Sequence, residues 1–235
     1  MQTDGRFHIL GDPARIACAV ISLAAIAPLS AVDPYTPAQF RGGSLPVLPV
    51  QAVGGGEVYL EVSVNSAGAV TDVKPLRTSS PFTEALTDAV GAWQFRPAEE
   101  AGEPAPGQTP DPSARKRIDA RVFLAGMFRP PTLNAPTLGT PSVDVAAPSD
   151  DVPFPTAAVP PLYPLLARDS GVVLVEVRVG RAGNVIEANA VRSSPAFDAP
   201  ALDAARRWTF RPARLHGAPV EAFAYIVFGF RQPVI

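Results

Sequence analysis

The feature that most restricts this chain is that it repeats itself. Residues 56–98 and 171–213 align without a gap, 115 positions apart. The pairs Gly56/Gly171, Val58/Val173, Glu61/Glu176, Val62/Val177, Val64/Val179, Gly68/Gly183, Arg77/Arg192, Ser79/Ser194, Phe82/Phe197 and Trp93/Trp208 are identical. So are Phe95-Arg96-Pro97-Ala98 and Phe210-Arg211-Pro212-Ala213. Any fold proposed for the chain must therefore build one unit twice.

Within each copy the residues predict the same order of elements. Val58, Leu60, Val62 and Val64 alternate with Glu57, Tyr59, Glu61 and Ser63, and Val173, Val175, Val177 and Val179 repeat the pattern. That is the period-2 signature of a strand with one buried face. Gly68 and Gly183 then mark a reversal, and second strands follow at 70–77 and 185–192. Pro75 makes the first copy's second strand an edge or ends it early, because proline donates no ladder hydrogen bond. Helices are expected over 83–93 and 198–208, with Thr83 and Asp198 as N-caps. Leu86, Ala89, Val90 and Trp93 share one helical face, as do Ala201, Leu202, Ala205 and Trp208. Last strands are expected near 118–128 and 219–230. Burying one tryptophan removes roughly 150–250 Å² from water, about 4–6 kcal/mol as an upper bound. Trp93 and Trp208 are accordingly read as core residues in units small enough to need them.

The remaining segments read as connectors and a leader. The chain has 235 residues, 28 of them proline, well above the ~5% average share. Residues 33–46 and 131–160 read as Pro-rich linkers, spanning roughly 45 and 90 Å when extended. Residues 16–32 are apolar apart from Ser22, Ser30 and Pro28, and follow Arg6 and Arg15. They fit a signal peptide cleaved after Leu29-Ser30-Ala31, an uncleaved membrane anchor, or a buried helix. The domain plan is 1–32 leader or anchor, 33–46 linker, 47–130 first module, 131–160 linker and 161–235 second module.

The second copy closely resembles the C-terminal domain of TonB-family proteins. The likeness rests on Pro161-Leu162-Tyr163-Pro164 and Gly183-Asn184-Val185, then on Val191-Arg192-Ser193-Ser194 and Leu202-Asp203-Ala204-Ala205. It continues through Trp208-Thr209-Phe210-Arg211-Pro212-Ala213 and Gly217-Ala218-Pro219-Val220. Tyr163, Pro164, Gly183, Ser193, Ser194, Trp208, Phe210 and Pro212 carry the motif. The first copy, lacking the Tyr-Pro and Gly-x-Pro-Val signatures, matches only through the repeat. The resemblance implies an α+β fold of two tandem small domains, each a three-stranded antiparallel sheet packed by one or two helices. It implies a periplasmic protein-binding module that grips an extended peptide of an outer-membrane transporter by strand addition, as an energy transducer. Val220, Phe223, Tyr225, Val227 and Phe228 are the candidate edge strand for that partner. Energised family members resemble one another in carrying a histidine in the membrane helix. Here His8 precedes the apolar run and His216 lies in a loop. A non-energised scaffold whose modules self-associate, including as a homodimer, is the alternative.

Other chemistries find little support. Net charge is -2, without the positive field that nucleic-acid binding requires. Cys18 is the only cysteine, so no intrachain disulfide or cysteine-based metal site is expected. No catalytic residue, cofactor or metal site is predicted: Glu61 and Glu176 recur singly, and Gly54-Gly55-Gly56 opens a strand rather than a helix. Arg96 and Arg211, each before a proline, read as surface or strand-capping groups, with a peptide-carboxylate contact as the alternative. The expected location is the periplasm, with inner-membrane anchoring if the leader is retained.

Overall fold

A computed structural model describes residues 35–50, 52, 54–102, 114–130, 143–144 and 146–232. The chain divides into Met1–Val32 and Asp33–Ile235, and every described residue belongs to the second unit. The leader expected at 16–32, with His8 and Cys18, lies outside the described residues.

Each copy folds in the order the repeat predicts. The first comprises β1 (Gly56–Val64), β2 (Val70–Thr78), α1 (Phe82–Gly91) and β3 (Ala120–Phe128). The second comprises β4 (Gly171–Val179), β5 (Val185–Arg192), α2 (Asp198–Arg206) and β6 (Ala222–Phe230). The β1–β2 and β4–β5 turns use Gly68 at φ 86° and Gly183 at φ 84°. There a Cβ would stand 2.0 Å from the carbonyl oxygen of Phe95 or 1.9 Å from that of Phe210. Thr83 and Asp198 are not the N-caps. Pro81 and Phe197 hold those positions, and the two side chains reach back from inside the helix. Ser79 N donates to Thr83 Oγ1 at 2.8 Å and Ser194 N to Asp198 Oδ1 at 2.8 Å.

The expected pair of separate three-stranded sheets is replaced by one seven-stranded sheet. Its order is β5-β4-β6-β3-β1-β2 and then the two-residue strand Val143–Asp144. All neighbours are antiparallel except at the centre, where β6 and β3 run parallel with Ala224 opposite Phe123 and Gly229 opposite Phe128. A parallel junction between equivalent strands turns one copy over relative to the other, so α1 and α2 cover opposite faces. Val58, Leu60, Val62 and Val64 meet Phe82, Leu86, Val90 and Trp93 on one side. Val173, Val175, Val177 and Val179 meet Ala201, Ala204, Ala205 and Trp208 on the other. Tyr59 of β1 points into the α2 cluster and Leu174 of β4 into the α1 cluster, as the two-residue alternation of a strand requires.

One helix per face leaves half of each face bare, and the described parts of the Pro-rich segments cover it. They are packed straps rather than extended linkers. Ala38, Phe40, Leu45 and Leu48 lie in the α1 cluster with Tyr225 and Val227. Val152, Phe154, Ala158 and Val159 lie in the α2 cluster with Tyr59 and Phe123. Each strap also adds a short antiparallel strand: Gln39–Gly42 on Gln94–Arg96, and Phe154–Ala157 on Thr209–Arg211. The tryptophans hold them. Trp93 Nε1 donates to Ser44 O at 2.8 Å and Trp208 Nε1 to Val159 O at 2.9 Å, equivalent bonds in the two repeats. Each buried indole thereby gains area and satisfies its one donor.

The copies also clamp each other. Arg129, just after β3 and buried, donates to Pro161 O ahead of β4. Arg231, just after β6, donates to Val50 O ahead of β1 at 2.8 Å. Burial lowers the Arg129 pKa from its ordinary value.

Candidate functional site

A sheet can recruit another chain only where a strand's N–H and C=O groups lack a neighbour. The edge expected at Val220–Phe228 is not one. Phe223, Tyr225, Val227 and Phe228 belong to β6, which pairs with β4 along its whole length and with β3 from Ala224 to Gly229. Val220 sits outside the large sheet, in Ala218–Val220, paired with Ala213–Leu215. A signal for this was in the sequence. Residues 223–230 are an unbroken apolar run, the pattern of a strand buried on both faces, and 122–128 in β3 read the same way.

Tyr225 has instead an internal role. Its hydroxyl donates to Glu176 Oε2 at 3.0 Å and accepts from Phe40 N at 2.7 Å. Gln39 Nε2 donates to the other Glu176 oxygen at 3.1 Å. Burial first, and then the Glu176 carboxylate, push the Tyr225 phenol well above its ordinary 10.0. In the first copy Glu61 does the equivalent work, accepting from Ser149 N and Ser149 Oγ, both at 2.8 Å. The recurring glutamates, 4% and 6% exposed, are strap anchors. Sequence reading found them but had no partner to give them, since the straps lie 137 and 88 residues away in the chain.

Two margins of the sheet stay open among the described residues. On β2, Arg77 and Thr78 are capped by Asp144 and Val143. Pro75 removes one donor from the rest, as the sequence predicts for an edge. At the opposite end β5 has β4 as its only neighbour, and its eight residues contain no proline. Ile186, Glu187, Asn189 and Arg192 are exposed there, Ile186 at 45%. Glu187 is held 3.5 Å from Arg178 Nη2 and accepts from Asn189 Nδ2 at 2.9 Å. Arg192 lies over the Phe40 ring at 5.6 Å and donates to Gly43 O at 3.3 Å, tying the end of β5 to the first strap. What remains is an uncovered eight-residue ladder beside an exposed isoleucine.

The motif residues make packing and hydrogen-bond contacts within the second copy. Tyr163 is buried against Phe197 and donates to Asp169 O at 2.7 Å; burial and Asp169 raise its pKa. Pro164 O accepts from Ala167 N at 3.1 Å in the turn ahead of β4. Ser193 Oγ donates to Asp198 Oδ2 at 2.5 Å, and Ser194 N reaches the same carboxylate. Phe210 is buried, its carbonyl lies under the Gly183 turn, and Pro212 abuts the same glycine. His216, at φ 50° in the 216–217 turn, lies 3.0 Å from Glu100 Oε1. No group of three or more His, Cys, Asp or Glu is arranged to hold a metal among the described residues.

The second copy is thus a helix-backed sheet module with one open strand. Residues 159–231 match the family described as the Gram-negative bacterial TonB protein C-terminal. Over this C-terminal stretch the chain is similar to TonB-family proteins. It is 36% identical over 81 residues to Protein TonB of Vibrio cholerae serotype O1 (strain ATCC 39315 / El Tor Inaba N16961). That match covers 32% of this chain and 33% of the relative, so the chain spans about a third of the length of the curated protein it matches. No solved structure matches.

Proposed function

We propose that this chain is a non-catalytic, TonB-like binding protein of the periplasm, serving transport across the outer membrane. It captures an extended segment of an outer-membrane transporter by strand addition. The observation that carries the reading is the open, proline-free edge of β5 in the copy that matches the TonB C-terminal family. An incoming strand there gains ladder hydrogen bonds without displacing any neighbour. The β6 edge, which the resemblance led us to expect, is consumed by β3, so capture belongs at β5. Successive N–H groups of an edge strand alternate between its neighbour and the open side. In the regularly paired stretch 187–190 of β5, of Ala188→Pro and Asn189→Pro one therefore removes an outward donor and the other a bond to β4. A transporter-derived extended peptide is expected to lose affinity at least tenfold with the outward-facing proline, in a protein that still melts cooperatively. Undiminished capture by both variants overturns β5 as the site.

A second reading is a non-energised scaffold, favoured by the β3–β6 junction. The two copies satisfy each other's last strands within one chain, as a self-associating pair would. The same titration separates the readings, since a scaffold of this kind captures no transporter peptide at all. No helix among the described residues is long and apolar enough to cross a membrane. Anchoring at the inner membrane would therefore fall to the apolar run at 16–32.

A further inference from the structure

Arg96 and Arg211 hold the same place in the two repeats, yet their surroundings differ. Arg211 Nη1 lies 3.0 Å from Asp150 Oδ1, and its Nη2 donates to Ser149 O at 2.8 Å. Arg214 N also donates to Asp150 O, at 2.8 Å. The chain's own strap, at the turn ahead of its strand, thus delivers a carboxylate and a carbonyl to one guanidinium fork, whose planar donors suit that pair. Counting back 115 positions puts Tyr35 where Asp150 stands. Tyr35 belongs to the equivalent strap and pairs with Glu100, so the backbone place is filled, but by a phenol. Arg96 therefore meets no carboxylate among the described residues. It lines an open cleft of about 370 Å³ together with Arg41, Arg117, Gln39, Phe40 and Phe95. No lining residue is acidic, and the nearest carboxylate recorded is Glu99 Oε1, 3.9 Å from Arg117 Nε.

We propose that this cleft binds an acidic peptide segment of a partner protein, with Arg96 and Arg41 each receiving a side-chain carboxylate. The second copy displays the chemistry: the arginine of this motif takes an aspartate carried on the turn at 150–151, ahead of the strap strand Phe154–Ala157. The first copy keeps the arginine and adds Arg41 and Arg117, of which only Arg117 has an acid, Glu99, within 4 Å among the described residues. The like charges of Arg41 and Arg96 around one cleft repel, and an arriving pair of carboxylates relieves that repulsion. The cleft is distinct from the β5 edge, and its occupancy does not rest on the reading of that edge.

The probe is a fluorescein-labelled peptide of residues 147–154, which carries Asp150 and Asp151. It is titrated into the full chain at low ionic strength and followed by anisotropy. Saturable binding is expected. It should weaken at least tenfold when both peptide aspartates become asparagine, and likewise in the R41Q/R96Q protein, whose exposed side chains leave the fold intact. Raising the salt should weaken it further, because exposed charges are screened. R211Q should leave affinity within twofold. Failure of the peptide to bind, or binding indifferent to Arg41 and Arg96, overturns the proposal. So does binding of anionic phospholipid vesicles through these arginines with no capture of the peptide, which would assign the cleft to a lipid surface.

Discussion

At Tyr225 one hydroxyl ties three distant stretches of chain together: β6, Glu176 on β4 and the Phe40 amide of the first strap. Tyr225→Phe leaves a buried carboxylate and a buried amide each short of a partner, and should cost about 1–3 kcal/mol by urea unfolding. The phenol's raised pKa has a definite sign. The folded state holds the proton more tightly than the unfolded chain, so this stabilisation is complete below the ordinary 10.0 and drains away as pH rises above it. Tyr35, pushed to about 12 by burial and then by Asp151 and Glu100, acts over the window from 10.0 to about 12. Melting temperature should hold steady up to about pH 10 and fall beyond it. The fall should be shallower in Tyr225→Phe, and an equal slope would remove Tyr225 from the account. Gly183→Ala is a sharper case, since its Cβ would strike the Phe210 carbonyl oxygen at 1.9 Å in a left-handed backbone. A loss above ~2 kcal/mol is expected.

Among the strands, composition and position in the sheet agree once the sheet is seen whole. β6 and β3 are apolar on both faces because both faces are covered, by α1 or α2 over one half and a strap over the other. β5 mixes alanines with Glu187, Asn189 and Arg192, which suits a strand with one open side. Hydrogen exchange should rank these elements. Amides of β6 should exchange only through global unfolding, while alternate amides of β5 exchange orders of magnitude faster. Uniform protection across β5 would mean that its outer side is covered. A proline at Tyr225, which the sequence placed on an edge strand, would instead break the central strand and abolish folding.

The molecule as a whole is an internal pair, and the β3–β6 junction makes its copies interdependent. Severed between residues 136 and 137, the two halves should copurify when coexpressed, with the spectrum of the intact chain. Produced alone, each bares the full margin of an apolar strand and should aggregate or self-pair. Two soluble, monomeric, independently folded halves would show that the junction is not needed. The arginine cross-clamps, Arg129 to Pro161 and Arg231 to Val50, reinforce the same dependence.

The repeated unit was legible in the residues alone. The alternating valines, the turn glycines and the tryptophan-bearing helix set strand, strand, helix and strand in order, because each pattern acts over a few residues. The recurrence of Glu61 and Glu176 and the apolar last strands were visible as well, but not the burial of those glutamates or the neighbours of either. Only the tertiary structure decided that β6 pairs with β3, that the described parts of the proline-rich segments are straps, and that among the described residues the open margin lies at β5. The ladder bonds behind those outcomes use backbone groups that every non-proline residue shares. Side chains therefore fix which face a strand buries, while the packing of the complete chain selects which strand lies beside it.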